Sequence, residues 1–291
     1  MQAGQKCSVE TLRGPDATMP VNSTHPDYDA SAVDWSRARD VLAGEDAVKA
    51  GGEKYLPRLD SQTDEEFAAY VQRASYFNAS ARTSEAYLGL MFRRPPFVKL
   101  PEGGAGVGRA LKTFENDADM LGTSLAGYAK RVVGDVVDVG RAGSLVDWEE
   151  AAEQRAYVSF YRAEQIINWR VERVSGRNVP TLIVLKEATS EGGGAEGEDA
   201  DEFEPAVREQ IRVLRLVTDE AGRPFCRVDL WQPKLVERSW FGFRGKGKTE
   251  WVLVDSRVPR RLGKPLPLIP FVFHGPRHSR PEVERGAGVD H

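Results

Sequence analysis

The amino-acid sequence predicts an α+β fold, with N-terminal helices followed by a mainly antiparallel β-rich layer. Three features predict it. Up to about residue 142, apolar residues recur at three- and four-residue steps, as on one face of a helix. After Gly143 the period becomes two, the alternation of half-buried strands. The two kinds of segment do not alternate with each other, which excludes a parallel sheet wound with crossover helices.

Residues 1–30 are polar, carry no period and read as a flexible arm. Residues 31–142 form the helical part. Val33, Trp35, Ala38, Val41 and Leu42 share a stripe that Gly44 can end. Thr63 and Glu66 then have the spacing of a capping box, in which hydroxyl and carboxylate each take a free backbone N–H. Phe67, Tyr70, Val71, Ala74 and Phe77 follow at helical steps, and the pattern runs on through Tyr87, Leu88 and Met91 as one long helix to Pro95 and Pro96. Gly103, Gly104, Gly106 and Gly108 read as a loop. They miss the dinucleotide fingerprint, because Arg109 holds the place of its third glycine. A further helix begins after Ser124 with Leu125, Tyr128, Val132 and Val136 on its apolar face, and Gly140 is placed to cap it.

Residues 143–276 form the β-rich part. Strands are expected at 144–148, 156–161, 166–174 and 181–188, with SGRNVP as the turn between the last two, and again at 210–218, 225–232, 235–241 and 250–255. An acidic, glycine-rich loop occupies 190–206, where seven carboxylates with no basic residue repel one another into solvent. The turns EAGRP and GFRGKGK give the later strands the pattern of a meander. Residues 277–291 read as a flexible tail.

The chain has 291 residues, with 40 basic and 44 acidic side chains and a formal charge of −4. That balance excludes a polycation built to coat nucleic acid. The length allows one large domain or two ordinary ones. Cys7 and Cys226 are too few for a disulfide framework or a four-cysteine zinc site, as in a reduced intracellular protein. No apolar run approaches the ~20 residues that cross a bilayer, and no signal peptide is evident.

One catalytic motif matches by spelling. Gly242, Gly247, Lys248 and Thr249 satisfy the phosphate-loop pattern, which needs a strand before it and a helix after it. Here EWVLVD alternates like a strand and LVERSWF is its natural hairpin partner, so the residues read as a hairpin tip. His274 and His278 are four apart, but Gly275 and Pro276 between them exclude the helix that would set both on one metal. No catalytic residue, cofactor or metal is expected. Between Lys234 and Lys264 nine basic residues face three acidic ones, with Lys234, Arg238, Arg244, Lys246, Lys248, Arg257, Arg260 and Arg261 as a candidate patch. With Trp240, Phe241, Phe243 and Trp251 it could meet a phosphate backbone or a partner. Lysines that blunt a solvated sheet edge explain the same residues.

Five segments occur in order: GEKYLPRL (52–59), DEEFAAYVQRASYFNASARTSEAYLGLMFRRPP (64–96), GTSLAGYAKRVVGDVVDVGRAGSLVD (122–147), YRAEQIINWR (161–170) and PLIPFVFHGP (267–276). Together they resemble the N-terminal wing half of a tailed-bacteriophage portal protein, the head-to-tail connector, in a subgroup often labelled only as a domain of unknown function. The resemblance implies a structural subunit and not an enzyme. It implies a ring, usually dodecameric, at one capsid vertex of the virion, assembled in the cytoplasm of the bacterial host. Its partners would be further copies of itself, the terminase large subunit, head-completion or adaptor proteins, capsid or scaffolding protein, and the double-stranded DNA passing through the channel. No membrane is involved. Family members continue past the IPF-type segment into stem, clip and crown. This chain ends in RPEVERGAGVDH, so a truncated subunit is expected. The apolar helix faces at 67–77 and 125–137 could be covered by neighbouring copies, by the β layer, or within one monomer. A nucleotide-binding enzyme using Lys248 and Thr249, or a non-functional prophage remnant, are the alternatives.

Overall fold

A computed structural model describes residues 20–99, 105–149, 153–174, 176–191, 206–236, 239–240, 243–244 and 248–276. It has an α+β fold. Helix α1 (Pro26–Ala43) starts with Pro26 in its first turn, where the missing N–H costs nothing, and His25 accepts the Asp27 N–H through Nδ1. The expected arm therefore gives way to helix at residue 26, earlier than the apolar stripe suggests. Gly44, at φ 104°, ends α1 and leads into α2 (Glu45–Ala50) and a short 3-10 turn (Gly52–Lys54).

The single long helix expected after Thr63 is two helices, α3 (Asp64–Arg73) and α4 (Ala79–Met91). The capping box is present: Thr63 Oγ1 accepts from the Glu66 N–H, and Glu66 accepts from the Thr63 N–H. The break arises from tertiary bonds, because Tyr76 donates to the Val41 carbonyl and Asn78 Nδ2 to that of Leu42, at the end of α1. Asn78 then caps α4 by accepting from the Ala81 N–H. A second difference is α5 (Ala105–Asn116), which takes in Gly106 and Gly108 from the expected loop. Phe114 packs against the cluster of Ala118, Tyr128, Val132, Ala142 and Val158, and this burial outweighs the ~1 kcal/mol that each helical glycine costs. Helix α6 (Leu125–Val139) runs from a Ser124 cap to a left-handed Gly140, as the spacing predicts.

The strands are β1 (Ala142–Trp148), β2 (Ala156–Arg162), β3 (Ile166–Val174), β4 (Arg177–Glu191), β5 (Ala206–Thr218), β6 (Pro224–Val236), β7 (Ser239–Trp240), β8 (Phe243–Arg244), β9 (Lys248–Arg257), β10 (Arg260–Arg261), β11 (Lys264–Pro265) and β12 (Phe271–His274). They form a five-stranded meander in the order β3-β4-β5-β6-β9 and a small sheet in the order β12-β1-β2, with every neighbouring pair antiparallel. Strand β4 reaches back to Arg177, opposite Val174, so most of SGRNVP is ladder and not turn. The expected strand 235–241 divides between the end of β6 and the β7–β8 hairpin. The acidic loop lies almost wholly outside the described residues, and the tail at 277–291 entirely so.

The core lies between the two sheets, where Leu145, Tyr161 and Phe271 meet Trp169, Ile183, Leu185, Leu214, Cys226 and Val228. Gly143 is needed for that closeness. A Cβ there would come within 2.3 Å of Phe271 Cζ and 2.9 Å of Ile166 Cδ1. Helix α6 covers the small sheet through Tyr128 and Val132, so its apolar face is satisfied within the monomer.

Candidate interaction surfaces

Lys248 and Thr249 open β9, pairing with Val236 and Leu235 of the antiparallel strand β6. A strand after the lysine turns its backbone N–H groups into ladder bonds and leaves no helix N-terminus to hold phosphate. Gly242 and Gly247 lie outside the described residues. Among the histidines, His25 stacks on Trp169 at 4.2 Å, and His274 Nε2 lies 2.7 Å from Ser144 Oγ. His278 lies outside the described residues. Ser144 also meets the Tyr128 hydroxyl at 2.5 Å. This chain ties α6 to β1 and β12, and Ser144 and Tyr128 are both buried. Cys226 is fully buried, and burial first, then the fields of Asp147 and Asp229, push its thiol up to about 12. No group of three or more His, Cys, Asp or Glu is placed to hold a metal among the described residues. No helix among them is long and apolar enough to cross a membrane.

The candidate basic patch is divided by the fold. Lys234 is exposed on β6 opposite Glu250, and Arg260 and Arg261 are exposed on the small β10–β11 hairpin. Arg257 instead donates to Asp147 at 3.1 Å, which ties β9 to the small sheet. Arg244 and Lys248 lie on β8 and β9, while Arg238 and Lys246 lie outside the described residues.

Two part-buried ionic networks, invisible to local patterning, link the layers. Arg39 of α1 forks onto Asp135 of α6 at 2.7 and 3.0 Å, and its Nε donates to Glu164 at 2.8 Å. Burial opposes the charge of Arg39, but its hydrogen bonds to Glu164 and Asp135 raise the guanidinium above its ordinary value. Glu187 of β4 accepts from Tyr161 at 2.5 Å, Gln210 at 2.6 Å and Arg212 at 2.7 Å, and Arg212 also donates to Asp147 at 3.2 Å. Burial, with the adjacent Glu187, pushes the Tyr161 hydroxyl far up, so it stays a donor.

The helical layer is the opposite case. Neither α3 nor α4 buries a residue, although α3 keeps Phe67, Tyr70 and Val71 half-covered. Phe77 and Leu90 are each 69% exposed, Phe97 is 90% exposed, and Tyr87 and Met91 are also exposed. Beside them, a cleft of about 230 Å³ between α1, α2 and the α3–α4 link is lined by Val41, Val48, Tyr55, Leu56, Ala74 and Tyr76. Large apolar side chains grouped in this way on one layer mark contact surface. Neither a known family model nor a curated protein matches this chain.

Proposed function

We propose that the chain is the wing portion of a tailed-phage portal subunit, a non-catalytic building block of the ring at one capsid vertex. The observation that carries this reading is the pair α3 and α4, which stand capped and formed yet hold no fully buried residue, α4 being part-covered by α1 and α6. A helix gains most of its stability by packing an apolar face, so exposed Phe77, Tyr87 and Leu90 point to a covering partner. A neighbouring copy in the ring fits that need. Two further observations support the reading. Segment 267–276 supplies β12, which pairs with β1 of segment 122–147, and Ile166 of segment 161–170 packs against Phe271 in the same core. The part-buried ionic networks tie the layers to one another, as a subunit that bears load between neighbours requires. Terminase, adaptor proteins and capsid or scaffolding protein would dock on the assembled ring, with double-stranded DNA in its channel.

The test is immunogold microscopy of phage particles from a culture that produces this chain, with antibody raised against it. Gold at a single vertex is expected. Particles without label, in a culture whose lysate contains the chain, would overturn the reading, as would label over the whole capsid surface.

A further inference from the structure

The five-stranded sheet carries a row of like charges that the portal reading does not use. Arg170 of β3 stands opposite Leu182 of β4, Leu182 opposite Arg215 of β5, and Arg215 opposite Arg227 of β6. Residues directly across a sheet share a face, so the three guanidinium groups rise along one line. At the usual strand spacing Arg215 and Arg227 are neighbours, and Arg170 lies about 10 Å beyond Arg215. Like charges placed opposite one another destabilise a sheet. Strands β5 and β6 are interior, so charge is not needed there to blunt an edge.

Among the described residues, Asp229 is the carboxylate that pairs with them. It is buried, accepts from Arg227 Nε at 3.2 Å and from the Ser256 hydroxyl at 2.7 Å, and lies 3.9 Å from Arg215 Nε. The charges whose fields reach Arg215 are Asp229, Arg227 and Arg170. Among the described residues Arg170 makes no ion pair, and Arg215 Nε is buried without a hydrogen-bond partner. Other half-buried arginines are treated differently. Arg39, Arg155 and Arg212 each lie against two carboxylates. Burial lowers the guanidinium of Arg215; Asp229 opposes that, and Arg227 and Arg170 add to it.

We infer that the row Arg170–Arg215–Arg227 is a binding site for phosphate groups carried in series along a chain. Guanidinium forks match phosphate oxygens two bonds at a time. Two uncompensated positive charges spread over four strands suit consecutive phosphates better than one small anion. The chemistry is shared by a nucleic-acid backbone and a linear polyphosphate. The site stands whichever assembly the chain joins.

The experiment titrates the intact chain at low salt with a fluorescent single-stranded 12-mer DNA, with sodium tripolyphosphate and with poly-glutamate. The proteins are wild type, R170Q, R215Q, D229N and, as a control, R37Q on α1. R170Q and R215Q should each weaken phosphate binding about tenfold, the worth of one charged hydrogen bond. D229N, which removes the competing carboxylate, should strengthen it, a change of sign that a merely structural role would not give. R37Q should leave it unchanged. On DNA, each lost arginine should also lower the salt slope by about one. Binding of DNA with tripolyphosphate, or of either alone, supports the site and identifies the source. Failure of both to bind overturns it, as does binding untouched by R170Q, whose wild-type side chain is exposed. Tighter capture of poly-glutamate than of tripolyphosphate overturns the phosphate assignment in favour of an acidic peptide.

Discussion

Cys226 pairs with Leu216 across β5 and β6, and its side chain is sealed between the sheets. Burial raises its thiol from 9.0 to about 12. A folded-state value above the unfolded one means the native protein holds its proton longer than the unfolded chain does. The associated stability is complete below pH 9 and is lost as pH rises towards 12. Tyr161, raised in the same direction by burial and Glu187, adds to the loss once an unfolded tyrosine ionises near pH ~10. Urea unfolding midpoints measured between pH 8 and 11 should therefore fall, and C226V should fall less steeply than wild type. Identical slopes would show that the thiol is not buried in solution. The same sealing makes Cys226 inert to thiol reagents in the native state, although nothing in the local sequence FCRV states this.

Helix α3 illustrates what local sequence can and cannot specify. Its start was legible, because Thr63 and Glu66 satisfy two free N–H groups with atoms only three residues apart. Its end was not. Ala74 leaves the helix at ψ 139° with neither proline nor glycine to signal it, because Tyr76 and Asn78 bond to α1 some 35 residues away. Helix α5 was missed for a related reason, since Phe114 packs on residues that its own segment does not contain. The strands were the most legible elements, because alternation is intrinsic to a half-buried sheet and survives whatever lies across it. Since α3 buries no residue fully, its cap is a large part of what holds it. T63A should destabilise α3 by about 1 kcal/mol. The expected readout is local: faster hydrogen exchange across Asp64–Arg73, with the global urea midpoint unchanged. A fall in the midpoint matching the local loss would show instead that α3 belongs to the cooperative core.

The helical layer, the small sheet and the meander are joined by apolar clusters between them, and part-buried charges at their seams add specific ties. None of those charges could be paired from the sequence, because Arg39 and Asp135 are 96 residues apart and Arg212 and Asp147 are 65 apart. Glu187 is the centre of the seam between the sheets. It serves Tyr161 of the small sheet and Gln210 and Arg212 of the meander, while Asp147 takes Arg212 and Arg257. Burying such a network gains little over an apolar seam, but removing one member leaves the others charged and dry. E187A should therefore cost about 3 kcal/mol or more of unfolding free energy, well above the ~0–1 kcal/mol of a surface pair. E187Q, which keeps acceptor geometry for Tyr161 and leaves Arg212 with Asp147 as its remaining counter-charge, should fall between the two. Denaturant curves followed by tryptophan fluorescence and by far-ultraviolet dichroism should shift together in both variants. A loss under about 1 kcal/mol in E187A would mean that water already reaches the seam. The two sheets would then be tied across this seam by their apolar core alone, without the ionic links.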